Sequence, residues 1–165
     1  MSRRLLVEVA IQELVIWEAG RLAGRYPVST GRKGVGEVLG SECTPRGLHR
    51  IRLKIGQHCP VNTVFLARRP TGECYQPELA VRYPGRDWIL TRILWLSGLE
   101  PGFNRGISHE GHPVDTLRRF IYIHGTPDET PLGVPGSRGC IRMRNEDLLV
   151  LFDWVQAGDL VEIVG

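Results

Sequence analysis

Apolar and polar positions alternate from the start of the chain. Leu5, Val7 and Val9 interleave with Leu6, Glu8 and Ala10, the period of a strand with one buried face. Polar Gln12 and Glu13 separate this run from a second β-rich one, Leu14 to Trp17. Gly20 and Gly24 are expected to break the chain before Tyr26 to Thr30, and the glycine-rich stretch Gly31 to Gly36 to form a flexible turn. That stretch lacks the Lys-Ser/Thr ending and following helix of a phosphate-binding loop. His49 to Ile55 alternates basic and apolar residues, predicting a half-exposed strand with its charges, and His49, in solvent. Residues 56–115 are less regular, with strand-like runs Val61 to Leu66 and Trp88 to Leu96 between Pro/Gly turns and a loop at Leu99 to Gly106.

Only the C-terminal part carries a helical period. Asn145 is expected as an N-cap, with Glu146 and Asp147 suiting the first turn of a helix dipole. Leu148, Leu151, Phe152 and Val155 follow at helix spacing, Gly158 stands as the stop, and Leu160 to Val164 reads as a final strand. The pattern predicts one mainly β domain over residues 1–165 with a helix near the C-terminus.

Composition narrows the function classes. A chain of 165 residues, 42% hydrophobic, has enough material for a real core. Its net charge of +3, from 21 basic and 18 acidic side chains, is too mild to argue for nucleic acid or anionic lipid. The pairs Arg3-Arg4, Arg68-Arg69 and Arg118-Arg119 are scattered rather than forming a tract. No stretch approaches the roughly 20 apolar residues of a membrane span. The N-terminus opens with two arginines, but Glu8, Gln12, Glu13 and Glu18 interrupt any signal-peptide core, so a cytoplasmic location is expected, or a periplasmic one if an export signal precedes this sequence. Cys43, Cys59, Cys74 and Cys140 form no CxxC pair, and free thiols are expected.

Candidate chemistry begins at Phe120 to His124, an apolar strand delivering a histidine before the turn Gly125-Thr126-Pro127. Sixteen positions later Gly139-Cys140 follows, where glycine permits close backbone approach. A thiol must lose its proton to attack, and an imidazole is its natural activator. The spacing alone leaves two readings open: a catalytic Cys140/His124 pair, or a buried structural cysteine with an unrelated histidine. A metal site built on His109 and His112 lacks a scaffold, because Gly111 and Pro113 exclude the helix of an H-E-x-x-H site. No metal or cofactor is expected.

The segments Ile123-His124-Gly125-Thr126 and Ser137-Arg138-Gly139-Cys140-Ile141-Arg142-Met143 resemble the active-site signature of the L,D-transpeptidase catalytic domain, the YkuD-like family. Tyr26 to Gly31, Thr44 to Gly47 and the ending through Gly158 and Val161 to Ile163 resemble further blocks of it, so the likeness runs from Leu5 to Val164. It implies a β-sandwich or barrel-like fold and cysteine acyl transfer on peptidoglycan stem tetrapeptides, at the bond between an L-centred diamino acid and D-alanine. It assigns Cys140 as nucleophile and His124 as base and acid. The Gly125 carbonyl would orient the imidazole, and backbone N–H groups at Gly139 and Cys140 would form an oxyanion hole. The family's second histidine is replaced by Arg138, expected as a cation beside the thiol that also attracts a substrate carboxylate. Arg142 is a second carboxylate clamp or a structural ion pair, Ser137 a turn residue or substrate contact, and Tyr122 a cleft wall or core residue. Carbapenem reactivity is implied as well.

The motif is the same whether water or an amine accepts the acyl group. With a cytoplasmic location, hydrolysis in peptidoglycan recycling, an L,D-carboxypeptidase activity, is expected. The alternatives are a cross-linking L,D-transpeptidase in the periplasm and a non-catalytic module that binds wall peptides.

Overall fold

The computed structural model describes residues 3–165. The chain forms strands β1 (Arg3–Glu8), β2 (Glu13–Glu18), β3 (Arg21–Ser29), β4 (Gly47–Ile55), β5 (Thr63–Leu66) and β6 (Arg69–Cys74). Helix α1 (Pro77–Arg82) comes next, then β7 (Ile89–Gly98), β8 (Tyr122–Gly125), β9 (Ile141–Met143), helix α2 (Asn145–Trp154) and β10 (Leu160–Val164). They make one sheet in the order β4-β10-β1-β2-β3-β9-β8-β7-β5-β6, and a further β4–β7 pairing closes its first eight strands into a ring. The mainly β, barrel-like class is therefore as expected.

Period-two alternation builds this wall. Leu5 and Val7 of β1, Leu14 and Ile16 of β2 and Ile51 of β4 turn inward, and α2 adds Leu148, Leu151 and Phe152 to the same core. At roughly 1.5–3 kcal/mol per fully buried large apolar side chain, this shared cluster is the main stabilising element. Lys54 donates from Nζ to the Val155 carbonyl at 2.8 Å, setting a cation at the C-terminal end of α2.

Several local expectations are corrected. Gly24 does not break the chain but lies inside β3, where the register with β2 slips between Ile16 and Trp17; a glycine is what such an irregularity tolerates. The break comes at Ala19-Gly20, both with positive φ, as a two-residue hairpin turn requires. His49 is fully buried, because it is in phase with Ile51 rather than with exposed Arg50 and Arg52. Asn145 is the first residue of α2 and makes no cap; Arg144 precedes it. The helix stops at Trp154, where Val155 turns extended, ahead of Gly158. Strand β6 and helix α1 lie in the stretch that showed no pattern.

What positions the site is the pair β8 and β9. They run parallel, Ile123 opposite Ile141 and His124 opposite Arg142. Ile123 and Ile141 enter the main core. Tyr122, His124, Cys140 and Arg142 are out of phase with them and share the other face.

Candidate active site

The register places Cys140 across from Tyr122, so His124 is its diagonal neighbour on one sheet face. Diagonal neighbours lie about 7–8 Å apart at the backbone; here Cys140 Sγ is hydrogen-bonded to Tyr122 and Phe120 and His124 to Gly125. The loop between the two strands thus brings the two predicted residues to one place.

His124 is buried, and its Nδ1 lies 2.6 Å from the Gly125 carbonyl. A carbonyl only accepts, so Nδ1 carries the hydrogen and Nε2 holds a free lone pair. Burial lowers the pKa of His124, against weaker opposing effects of Asp87 and the Gly125 carbonyl. The imidazole is therefore a neutral base of defined tautomer, with Nε2 free of hydrogen-bond partners among the described residues. Gly125 cannot carry a side chain: a Cβ would collide with Asn145 Oδ1 and stand 2.6 Å from the Leu90 carbonyl. The Gly125 carbonyl is thus the group that fixes the ring, at the position expected for it.

Cys140 Sγ accepts from the Tyr122 N–H at 3.3 Å and lies 3.4 Å from the Phe120 carbonyl, to which the thiol donates. Burial pushes the thiol up to about 12; the Tyr122 N–H, Arg142 and Arg119 pull it down, and Asp87 pushes it further up. Cys140 thus rests as a protonated thiol and His124 as a neutral imidazole. For such a pair to react, the thiol proton would have to pass to the base as the sulfur attacks, a general-base arrangement rather than a standing ion pair.

The turn before Cys140 corrects the expectations for Gly139 and Arg138 and gives Ser137 the place of a turn residue. The Gly139 N–H, expected to face an oxyanion, already donates to Ser137 Oγ at 3.1 Å. The Cys140 N–H has no protein partner among the described residues and is the donor left for that role. Ser137 is buried, and its hydroxyl donates to the Cys140 carbonyl, so it braces the turn, as the turn-residue alternative has it. Gly139 has φ +123°, and a Cβ there would lie 3.0 Å from the Cys43 carbonyl, which explains the glycine before the nucleophile. Arg138 is exposed and donates to the Gly85 carbonyl at 3.3 Å. The cations that act on the thiol are Arg142 and Arg119.

Arg142 pairs with Asp87 at 3.1 Å and donates to the Gly136 carbonyl at 3.1 Å, so the ion-pair alternative describes it. Its buried Nε has no partner among the described residues. Two polar clefts meet here and share Arg138 and Arg142. One, of about 260 Å³, is also lined by Arg32, Lys33, Glu42 and Ser137. The other, of about 100 Å³, adds Arg86, Asp87, Trp88 and Thr126. Of the two readings of Tyr122 the structure supports the core one: it packs with Phe65 and Ile93 beside Cys140 while its hydroxyl accepts from Arg68.

Arg119, Asp87 and Asn145 are site residues that sequence reasoning missed. Arg119 donates to the Gly36 and Cys43 carbonyls at 3.1 and 2.6 Å, tying the glycine-rich loop to the thiol's surroundings. Asn145 accepts from Thr91 and donates to Asn62. Cys43, Cys59, Cys74 and Cys140 are free thiols. Among the described residues no three His, Cys, Asp or Glu side chains group as metal ligands, and no helix is long and apolar enough to cross a membrane.

Comparison with known proteins bears on the family and the fold. The YkuD family profile, described as the L,D-transpeptidase catalytic domain, matches residues 2–163. A curated Salmonella typhimurium protein, "Probable L,D-transpeptidase ErfK/SrfK", is 46% identical over 48 residues, which is 29% of this chain and 16% of that protein. L,D-transpeptidase 3 from Mycobacterium tuberculosis superimposes with a TM-score of 0.61 at 15% identity, over 99% of this chain and 61% of that one. The same M. tuberculosis protein in complex with a faropenem-derived adduct gives 0.60 at 16% identity, over 99% and 60%. The chain therefore spans about three-fifths of those solved chains and a much smaller part of the curated relative.

Proposed function

The chain belongs to the L,D-transpeptidase catalytic domain family, and from that premise we propose that it is a cysteine acyl-transfer enzyme acting on peptidoglycan stem tetrapeptides with water as acceptor, an L,D-carboxypeptidase. The observation that carries this is the shared face of β8 and β9, with His124 held by Gly125 and Cys140 diagonal to it.

The chemistry runs through those groups. Cys140 Sγ attacks the carbonyl carbon between the diamino acid and D-alanine as its proton moves to His124 Nε2. Charge developing on sulfur meets the Tyr122 N–H, and charge on the carbonyl oxygen meets the Cys140 N–H. One such donor contributes about 3 kcal/mol to a transition state. The imidazolium then protonates the departing amine, D-alanine leaves, and a thioester remains. Water, deprotonated by the same nitrogen, attacks the thioester, and the thiolate takes the proton back.

The walls favour water over a second stem peptide. An acceptor amine arrives as an ammonium ion, and the clefts present Arg32, Lys33, Arg86, Arg138 and Arg142 against Glu42 and Asp87. Cross-linking is the second reading, and the names of the curated relatives favour it. Incubation with a tetrapeptide and separation of free tripeptide from cross-linked dimer decides between them. Release of D-alanine with tripeptide as the main product is expected; dimer as the main product overturns the choice of water.

Faropenem or a carbapenem should acylate Cys140, seen as a mass increase lost in Cys140→Ser, at a rate that falls at least tenfold in His124→Gln, since a positioned base is worth roughly a hundredfold or more. Plain alkylation behaves differently. With its proton held to about pH 12, Cys140 should react with iodoacetamide more slowly than the exposed Cys74 at pH 8, and faster with each unit of rising pH. A Cys140 that resists the β-lactam as well would instead favour the non-catalytic module.

A further inference from the structure

The guanidinium of Arg68 is held in an unusual way. Ala67 and Arg68 are the two central residues of the β5–β6 hairpin, and both have positive φ, 48° and 64°. That turn ordinarily takes Asn or Gly, which adopt the left-handed region most readily, so Ala and Arg are strained there. The strained turn projects Arg68 back over the sheet. Its Cζ lies 4.7 Å from the Trp95 ring centroid and 4.8 Å from that of Phe120, and Nη1 donates to the Tyr122 hydroxyl at 3.0 Å. Trp95 packs in turn on Tyr122, edge to face at 6.0 Å.

Two things set this arginine apart. Of the two arginines that lie over two aromatic rings, Arg86 pairs with Glu73, whereas no carboxylate pairs with Arg68 among the described residues. One hydrogen bond to Tyr122 uses one of five N–H donors. Aromatic rings fix the orientation of a guanidinium through its faces, while the donors that grip a carboxylate lie in its plane, along the edge. The result is an oriented, uncompensated cation with most of its fork unused. Second, the residues that hold it also shape the nucleophile. The Phe120 carbonyl and the Tyr122 N–H are the two backbone groups in contact with Cys140 Sγ, so the seat of Arg68 is tied to the thiol by one short stretch of chain.

We propose that Arg68, seated between Trp95 and Phe120 and bonded to Tyr122 beside Cys140, receives the free carboxylate at the C-terminus of the substrate and determines specificity for it. This rests on the reaction proposed above, in which the leaving amino acid is the last residue of the stem. Its carboxylate is one carbon from the departing nitrogen and is the charged group nearest the bond being cut. A receptor on the wall beside the thiol would select chains ending at that residue and reject those that continue or are amidated. Arg138 and Arg142 are poorer candidates, one donating to Gly85 and the other paired with Asp87.

The test compares two substrates: a stem tetrapeptide with a free C-terminal carboxylate and the same peptide as its C-terminal amide. A charge-assisted pair predicts that the wild-type chain prefers the acid about tenfold to a hundredfold in kcat/KM. In Arg68→Met that ratio should fall to within about threefold of unity, mainly through a rise in KM for the acid, and Arg68→Lys should keep an intermediate ratio. A role confined to holding the hairpin slows both peptides alike and leaves the ratio intact, which overturns the assignment. A wild-type chain that cleaves both peptides equally overturns it without any variant, should Arg68→Met fail to fold. If the wild type releases no amino acid from the acid peptide, the reaction itself is wrong, an outcome distinct from loss of selectivity.

Discussion

His49 sits with no exposed surface between the Gly47 carbonyl, 3.0 Å from Nδ1, and the Thr116 hydroxyl, 2.9 Å from Nε2. Because Gly47 only accepts, the ring is the neutral Nδ1–H tautomer and Thr116 donates to Nε2. Burial lowers the pKa from 6.5 to about 4, against opposing effects of Gly47, Glu100 and Glu37. On acidification the unfolded chain therefore takes up a proton near pH 6.5, before the folded chain does near pH 4. The stability that neutral His49 contributes is complete above 6.5 and lost as pH falls towards 4, about 2 kcal/mol of it by pH 5. The urea midpoint should fall accordingly between pH 7.5 and 5, and His49→Gln should remove much of that slope; the same slope in both proteins would refute the assignment. His124, also held neutral by burial, acts in the same direction and accounts for what remains. That His49 lies inside was readable from its phase with Ile51, but its basic neighbours suggested solvent. Arg138 misleads for another reason: it and Arg142 each stand two positions from Cys140, but the turn at Gly139, with φ +123°, breaks the extended run before the thiol, so only Arg142 keeps that face; Arg119 arrives from a remote loop that no local pattern connects to Cys140.

Among the elements, α2 has its consequence at its first residue. Asn145 is buried, with Oδ1 accepting from Thr91 Oγ1 at 2.8 Å and Nδ2 donating to Asn62 Oδ1 at 3.0 Å. It fastens the start of the helix to β7 and closes the space beside Gly125, where no side chain fits. Asn145→Ala should cost about 1–3 kcal/mol by leaving a buried hydroxyl without its acceptor. It should also slow acylation of Cys140 several-fold, because the Gly125 carbonyl that holds His124 loses its backing. Denaturant midpoint and β-lactam acylation rate in the same variant check both, and a midpoint unchanged from wild type would refute the structural role. The cap expected of Asn145 correctly marked the helix boundary but missed the inward side chain, a contact of two distant segments that no spacing rule encodes. Strand β6 and helix α1 were invisible for another reason. No residue of α1 is buried and β6 lies almost wholly at the surface, so neither imposes a period on its apolar positions. The inward-facing strands β1, β2, β4 and β7 were readable because one side of each enters the core.

For the molecule as a whole, strand order was the part that alternation could not supply. Period two identifies a strand and its buried face but says nothing of its neighbour, and here the first and last strands pair in parallel while β8 and β9 do the same across the site. The family resemblance, not the pattern, carried that architecture. The ring depends on it, since β10 lies between β1 and β4 and contributes buried Val161 and Ile163. Deleting residues 160–165 would remove two core side chains, worth roughly 1.5–3 kcal/mol each, together with the ladders on both sides of β10. It would also leave two unpaired edges, a template for association. Against a typical total of about 5–15 kcal/mol, that loss removes most of the margin. The truncated chain should show no cooperative urea transition and should associate, whereas Ile163→Val, which keeps the ladders, should unfold cooperatively with a midpoint lowered by about 1 kcal/mol of stability. A truncated chain that still unfolds cooperatively near the wild-type midpoint would mean that the other seven strands hold the site without closure.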